Sequence, residues 1–262
     1  MDLAPSDAFR TIEGARDDLL LLCDHASSRV PEDVTPLGLP AADMARHIAY
    51  DVGAAGVTER LAQALGAGAV LSCFSRLVID PNRGEDDPTL VMRLSDGSIV
   101  PGNRGVDEAE VTRRLERFHR PYHRAVEGAI AARGRPALIS VHSFTPALRG
   151  RPPRPWHVGV LWGGDPASGR ALIERLRAAT DWVVGDNQPY TGALQGDCMD
   201  RHGTATGLRH VLIEVRNDLI ATAEDQRAWA DALAPHLEAV LAQRKIAAPV
   251  GSGEVGEDTS GR

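Results

Sequence analysis

Several apolar stretches of the sequence end on side chains that can bind a metal ion or transfer a proton. Asp24 and His25 follow the run LLLLC, and His142 follows ALISV. Glu214 lies inside VLIEVR, and the polar segment 80–83 follows FSRLVI. Because ligands of open parallel sheets bind outside the carboxyl ends of the strands, we expect these side chains to share one site.

Two histidines and a carboxylate are the ligand set of a zinc hydrolase. Neutral imidazoles and a carboxylate oxygen bind zinc at about 2.0–2.2 Å, and an open fourth position takes a water molecule. The metal lowers the pKa of that water toward ~7, and a further carboxylate can carry its proton. A single histidine at a strand end more often caps or hydrogen-bonds, so the hypothesis depends on His25, His142 and Glu214 lying together.

Glu214 and the arginines near residue 80 each have a functional and an ordinary interpretation. A carboxylate on a strand that is buried on both faces needs a partner or a chemical role, whereas a carboxylate on a solvent-exposed face of the sheet simply points to water. Arg76, Asn82 and Arg83 can bind a substrate carboxylate through planar, bidentate hydrogen bonds. They can equally pair with nearby acidic residues, where surface ion pairs add little stability. The sequence leaves both interpretations of the arginines open.

Short apolar stretches alternate with helical patterns along the chain. This alternation predicts a single α/β domain with a mostly parallel or mixed central sheet and helices on both faces. We assign residues 1–245 to the domain and 246–262, polar and Gly-rich, to a disordered tail. Loops 84–105 and 144–156 are expected to form the walls of the site. The predicted strands are 17–24, 69–80, 136–143, 156–162, 181–186 and 208–216, and the predicted helices are 41–65, 107–133, 167–179 and 223–245.

Composition argues against several kinds of partner. The 262 residues carry a net charge of −7, and no Lys/Arg-rich block suggests binding to nucleic acid or to a membrane surface. The apolar runs are far shorter than the roughly 20 residues needed to cross a bilayer, and the N-terminus lacks the pattern of a signal peptide. We expect a cytoplasmic protein with a small-molecule substrate, and the sequence leaves its oligomeric state open. Cys23, Cys73 and Cys198 are interpreted as free thiols and not as a zinc site.

Two other classes of enzyme lack their expected signatures. A serine hydrolase of the α/β type carries G-x-S-x-G at a strand-to-helix turn, and the sequence has no such pattern. The stretch LGAGAVL (65–71) has two glycines of a dinucleotide-binding motif, but it precedes a predicted strand and does not open a helix. Neither class is therefore an expected function.

Seven short motifs, in chain order, closely resemble the N-formylglutamate amidohydrolase family, whose relatives include the zinc carboxypeptidases and aspartoacylases. The resemblance extends from about residue 17 to 235 and implies a carboxypeptidase-like mixed sheet. It also implies an enzyme with one Zn²⁺ per chain that removes the acyl group, formate in the named reaction, from an N-acylated amino acid. The motifs are CDHAS, YDVGA, SRLVIDPNR, VHSFTP, GDNQPYTG, RHG and IEVRNDL.

The resemblance implies roles for individual residues. His25 and His142 match metal ligands of the family, and Glu214 is similar to the general-base glutamate of zinc carboxypeptidases. Asn82 and Arg83 resemble the pair that binds a substrate carboxylate, and we group Arg76 with them. In the implied mechanism, zinc polarises the amide carbonyl and acidifies its water, while Glu214 takes the proton and returns it to the departing amine.

The third metal ligand does not follow from the family pattern. Carboxypeptidases and aspartoacylases place His-x-x-Glu at the first ligand strand, whereas the third residue after His25 is Ser28. We predict Asp51 as the third ligand, projecting from a helix or from its end. Asp24 is the alternative, although neighbouring side chains on an extended strand point in opposite directions. The ordinary interpretation of Asp51 is a carboxylate on a helix surface.

Helical spacing singles out further histidines. His119 and His123 are four residues apart, and so are His47 and Asp51, a spacing that can bind a metal on one helix face. Helix surfaces also carry many histidines with no such role. We predict that Tyr122 and His123 lie beside the metal ligands or face the substrate.

Tyr190 and His202 lie in a Gly-rich segment that the resemblance places over the site. We predict both as substrate-binding residues, and Tyr190 can donate a hydrogen bond to the developing oxyanion. An ordinary packed tyrosine is the alternative interpretation.

A non-catalytic protein that keeps the metal site for binding is the second hypothesis for the whole chain. Zinc bound without turnover of any N-acyl substrate would favour such a binding protein over an enzyme.

Overall fold

The central feature of the computed structural model, which describes residues 7–242, is a seven-stranded sheet with the order β1-β3-β2-β6-β9-β7-β8. The predicted tail, 246–262, lies outside the described residues. The strands are β1 (Phe9–Ile12), β2 (Leu19–Cys23), β3 (Gly68–Ser72), β4 (Leu94–Ser95), β5 (Ser98–Ile99), β6 (Ala137–Phe144), β7 (Val158–Leu161), β8 (Val184–Asp186) and β9 (His210–Arg216), and the helices are α1 (Ala41–Met44), α2 (Ala54–Leu65), α3 (Glu108–Arg114), α4 (Arg120–Arg133), α5 (Pro166–Ala179) and α6 (Ala223–Ala242).

The four central strands, β3, β2, β6 and β9, are parallel. On one side β1 pairs antiparallel with β3, and on the other β7 pairs antiparallel with β9 and parallel with β8. The sheet is therefore mixed but mostly parallel, as predicted. All five residues of β2 are buried, which is typical of a parallel strand that is covered on both faces.

The two faces of the sheet are covered by different helices. Leu19 and Leu21 point into one core with α2, α5 and α6, whereas Leu20 and Leu22 point into a second core with α4. This alternation follows from the two-residue period of a strand. The predicted α/β class with helices on both faces is confirmed. Within residues 7–242, no helix is both long and apolar enough to cross a membrane.

The predicted strand 69–80 ends early. β3 stops at Ser72, and the backbone N–H of Ser75 donates to the Arg29 carbonyl instead of to a neighbouring strand. Phe74 and Val78 are nevertheless fully buried in the core that includes α4. The run is apolar because a helix covers it. An apolar run alone does not distinguish a buried strand from a segment of irregular structure that is buried under a helix.

The predicted helix 41–65 is interrupted. α1 and α2 are separated by turns over residues 45–53, and Gly53 enters α2 with a φ of +83°. A Cβ atom at Gly53 would lie 2.4 Å from the carbonyl oxygen of Ile220, so the chain needs glycine there. His47 and Asp51 lie in this interruption, so the prediction that one helix carries both is wrong, but His47 Nδ1 still lies 3.4 Å from Asp51 Oδ1.

Two further features of the fold bear on the site. The predicted helix 107–133 is present as α3 and α4, joined by a wider turn of π-helix over Leu115–His119. The loop 84–105 contains a short hairpin, β4 and β5, which the sequence analysis did not predict.

Candidate metal centre and active site

His25, Asp51 and His142 converge at the carboxyl end of the parallel strands. His25 follows β2, His142 lies near the end of β6, and the turn before α2 supplies Asp51. The Asp51 Oδ2 atom lies 2.9 Å from His142 Nδ1 and 3.4 Å from His25 Nδ1, and the two rings are 5.0 Å apart between centroids. One ligand atom of each residue lies within 4.8 Å of the others, and all three side chains are buried.

A carboxylate on the far side of each ring fixes its orientation. His25 Nε2 lies 2.7 Å from Asp80 Oδ1, and His142 Nε2 lies 2.9 Å from Asp24 Oδ2. A proton on each Nε2 therefore leaves both Nδ1 atoms free to face Asp51. Metal-binding histidines are commonly oriented by carboxylates in this way, which also increases their basicity.

The geometry distinguishes the two predicted candidates for the third ligand. Asp24 lies behind His142, where Oδ1 accepts a hydrogen bond from Tyr122 and Oδ2 accepts one from Ser140. Asp51 lies between the two inner nitrogens, with its own backbone N–H donating to the His25 carbonyl at 2.9 Å. Asp51 is therefore placed to act as a ligand, and Asp24 to orient His142.

The electrostatics of the cluster suit a cation. Burial opposes charge on Asp51, but His25 and His47 outweigh it and lower the pKa of this carboxyl well below its usual range. Burial likewise opposes a charged His142, yet hydrogen bonds to Asp24 and Asp51 raise the pKa of the ring well above normal. The raised pKa of His142 favours a proton on its Nδ1 atom, which faces Asp51 at the point where the ligand atoms converge. A divalent cation at this point can replace it, so the donor set fits a zinc-type metal.

Glu214 lies beside this cluster without a hydrogen-bond partner. It is directly opposite His142 in the parallel pairing of β6 with β9, so the two side chains leave the same face of the sheet. Its Oε2 atom is buried and has no partner in the described part of the chain. Burial raises the pKa of Glu214 to about 8. A buried, unpaired carboxylate next to a cation site is well placed to exchange protons.

These groups open into a cavity of about 860 Å³. Its lining includes Arg76, Asn82, Arg83 and Tyr190, the predicted substrate-binding residues other than His202. Loops 84–105 and 144–156 both contribute walls, as expected, through Met92, Ser95, Asp96, Pro146, Ala147 and Leu148 among others.

The two arginines predicted to bind substrate have different partners. Arg76 donates to Asp80 at 2.8 Å and contacts Asp51, so most of its charge is already compensated. Arg83 donates to the Asn82 carbonyl and to Thr89, and its nearest described carboxylate is 3.8 Å away. Arg83 is therefore the freer of the two to bind an anion.

His202 lies away from the cavity, so the structure gives no support to its predicted contact with substrate. A helical segment over residues 198–204 packs its ring against α4, where His202 Nε2 lies 2.8 Å from His123 Nδ1. Tyr122 lies behind the cluster, bound to Asp24 at 2.7 Å. The position of Tyr122 matches the predicted role beside the metal ligands, whereas His123 faces neither the ligands nor the cavity.

Arg154 is a candidate binding residue that the sequence analysis missed. Its guanidinium donates to the backbone and side-chain oxygens of Thr145 and lies 5.1 Å from the centre of the Tyr190 ring. Within residues 7–242 it forms no salt bridge with a carboxylate. The loop that carries Arg154 was predicted to be functional. The sequence does not single out Arg154, because Arg151 in the same loop has an equivalent local sequence pattern, and yet Arg151 is exposed.

Comparisons with known proteins identify the family. The family model described as N-formylglutamate amidohydrolase matches residues 17–221. The chain is thus an amide-cleaving hydrolase, and it belongs to the N-formylglutamate amidohydrolase family. This confirms the resemblance inferred from the motifs.

Solved structures share the fold. A gene product of Agrobacterium tumefaciens is 33% identical, with 89% of this chain and 94% of that chain covered and a TM-score of 0.84. The N-formylglutamate amidohydrolase from Ralstonia eutropha JMP134 is 21% identical, with 89% and 99% covered and a TM-score of 0.68. A search of curated proteins found no match.

Proposed function

We propose that the chain is a zinc-dependent amidohydrolase that removes the formyl group from N-formylglutamate or a closely similar N-acylated amino acid. The observation that carries the proposal is the convergence of His25, Asp51 and His142 beside the unpaired carboxylate of Glu214. Family membership supports amide cleavage, and the cavity is large enough for a small N-acyl amino acid.

The residues of the cluster divide the work between binding the metal and moving protons. His25, Asp51 and His142 would hold Zn²⁺, while Asp80 and Asp24 keep the two imidazoles in the tautomer that ligation requires. When bound, the ion supplies Lewis acidity at the substrate carbonyl and acidifies the attacking water. Glu214 accepts a proton from that water and delivers it to the amine nitrogen as the C–N bond breaks. The products are formate and a free amino acid.

Cationic and polar groups of the cavity orient the substrate. We assign the α-carboxylate to Arg83 and Asn82, with Arg76 adding positive charge, and the side-chain carboxylate to Arg154, which lies against the lining residue Tyr190. Tyr190, which lines the cavity with its ring centre 5.1 Å from the Arg154 guanidinium, donates to the developing oxyanion. The cytoplasmic location inferred from the sequence stays a prediction.

Metal content and turnover together test the proposal. The purified protein is assayed on N-formyl and N-acetyl derivatives of glutamate, glutamine and alanine, before and after chelation and zinc addition. We expect turnover of N-formylglutamate that chelation abolishes and zinc restores, and His142→Gln should lose both the ion and activity. Bound zinc without turnover of any member of the panel would instead identify a binding protein.

A further inference from the structure

A second cluster of metal-binding side chains lies outside the proposed active site. His123, Cys198 and His202 each offer a ligand atom, and these atoms lie within 4.8 Å of one another. His123 Nδ1 and His202 Nε2 are 2.8 Å apart. All three side chains are buried, and Cys198 has no exposed surface.

Two helical segments bring these residues together. His123 lies in the first turns of α4, and Cys198 and His202 are four residues apart on the helical segment 198–204. Residues four apart share a helix face, so one turn supplies a thiol and an imidazole toward α4. Imidazole and thiolate are the ligands that zinc prefers, and a Cys-x₃-His spacing is compatible with chelation of one ion.

Hydrogen bonds within the protein leave polar atoms of this region unsatisfied. His123 Nε2 and His119 Nδ1 are both buried and without a partner in the described part of the chain. His119 Nε2 must donate to the Arg83 carbonyl, 3.0 Å away, so its buried Nδ1 carries a free lone pair. The ring of His119 lies 4.4 Å from that of His123. An ion held by His123 Nδ1 and His202 Nε2 leaves His123 Nε2 unchanged on the far side of the ring, but the free lone pair of His119 Nδ1 is available to a cation.

We propose that His123, Cys198 and His202 form a second, structural site for a zinc-type divalent ion, with His119 as the candidate fourth ligand. The chain then binds two ions, where the sequence predicted one. This ion ties the long segment after β8, which carries the cavity residue Tyr190, to α4.

The local geometry requires a small adjustment. Two nitrogens bound to one tetrahedral zinc at 2.0–2.1 Å are roughly 3.3 Å apart, so His123 and His202 must separate by about half an ångström. Binding releases the thiol proton of Cys198 to solvent as the sulfur–metal bond forms. Asp24, which accepts a hydrogen bond from that thiol, keeps its bonds from Tyr122, Ser140 and His142.

Cobalt substitution provides a direct test because the proposed catalytic site contains no sulfur. Co²⁺ bound to a thiolate gives an intense charge-transfer band in the near ultraviolet, and imidazole or carboxylate ligands give none. We expect this band in the cobalt-loaded protein, together with about two equivalents of metal per chain. Cys198→Ser should abolish the band and reduce the content to about one equivalent.

Matched variants separate this proposal from the proposed function. Cys23→Ser and Cys73→Ser should keep the band. His142→Gln should also keep it, but it should lose the equivalent of metal bound at the proposed catalytic site. The equivalent retained by Cys198→Ser also reports that the variant is folded. If Cys198→Ser does not fold, the spectra of the wild type, Cys23→Ser and Cys73→Ser still test the proposal, because a band that persists without Cys23 and without Cys73 is assigned to Cys198. A wild-type protein without the band, or a band that survives Cys198→Ser, overturns the second site, and the cluster is then a hydrogen-bonded histidine pair.

Discussion

The tautomer of each histidine of the candidate metal centre is set by a carboxylate that lies behind the ring and is not among the residues lining the cavity. Asp80 and Asp24 accept hydrogen bonds from the outer nitrogens of His25 and His142, so the inner nitrogens face Asp51. Glu214 has no such partner, and burial raises its pKa to about 8 in the metal-free chain. A nearby divalent cation lowers that pKa, which prepares the carboxylate to accept a proton at neutral pH.

Replacing Glu214 by glutamine removes the proposed proton carrier while keeping the size of the side chain. We expect kcat to fall by about 10²–10⁴-fold, because general-base catalysis typically contributes that much. Zinc content and KM should change little, since the metal ligands and the substrate-binding arginines are intact. Steady-state kinetics and metal analysis of Glu214→Gln check this, and a kcat within tenfold of wild type would assign the base elsewhere.

Arg154 is expected to decide the preference for a dicarboxylic substrate. Arg154→Met removes a charge-assisted hydrogen bond of about 1.5–3 kcal/mol, so KM for N-formylglutamate should rise roughly 10- to 100-fold. KM for N-formylalanine, which lacks the side-chain carboxylate, should change little. Arg151→Met, in the same loop but exposed, is the control for a general loss of charge. An equal effect on both substrates would contradict the assignment.

The secondary structure shows which parts of the site the sequence could predict. Alternating strands and helices placed His25, His142 and Glu214 at one end of a parallel sheet, because buried strands have a clear apolar pattern. The turn that carries Asp51 could not be predicted in the same way. Its backbone hydrogen bonds include long-range ones, from the N–H of Asp51 to the His25 carbonyl and from the N–H of Arg76 to the Ala49 carbonyl. Arg154 was missed because its candidate role depends on its position over Tyr190. The sequence does not show which residue of the loop takes that position.

α3 supports the cavity wall through a buried arginine. Arg114, which has no exposed surface, donates to the carbonyl of Val78 and to the Asn103 side chain, both at 2.8 Å. Asn103 in turn donates to the carbonyls of Leu77 and Met92. This network connects α3 to the loop segments that precede and follow the predicted carboxylate-binding residues.

Arg114→Met should reduce the free energy of unfolding by about 2–4 kcal/mol, because it leaves buried oxygens of Val78 and Asn103 unpaired. Arg113 provides a matched control, since it binds the same Glu110 carboxylate from a partly exposed position. Arg113→Met should cost less than about 1 kcal/mol. Chemical denaturation measures both, and equal losses would show that the buried network contributes nothing beyond the surface pair.

Across the molecule, histidines whose pKa is lowered outnumber carboxyls whose pKa is raised, and the two groups have opposite effects on stability in acid. Burial lowers the pKa of five histidines below the usual 6.5, and it raises the pKa of two carboxyls. Between about pH 6.5 and 4, unfolding therefore takes up protons on balance, and acidification favours the unfolded state. The histidines are His47 and His202, each at about 4, with His119, His123 and His236, and the carboxyls are Glu214 at about 8 and Asp197 at about 6.

We expect the free energy of unfolding to fall between pH 6.5 and pH 5, by up to about 1.4 kcal/mol per pH unit for each net proton. Bound metal strengthens this dependence, because protons compete for the ligands. Urea unfolding at several pH values measures the slope. His47→Gln should flatten it by about one proton, since that histidine is neutral in the folded chain near pH 5. A pH-independent midpoint would contradict the prediction.

The distances along the chain between the proposed ligands also govern when the ion can be acquired. Asp51 is 26 residues from His25 and 91 residues from His142, so short nascent segments do not chelate. The chelating geometry exists only after β6 has joined β2, and we expect this pairing late in folding because it joins segments distant in the chain. Zinc should consequently leave the refolding rate unchanged and lower only the unfolding rate. Stopped-flow mixing with and without the ion measures both rates.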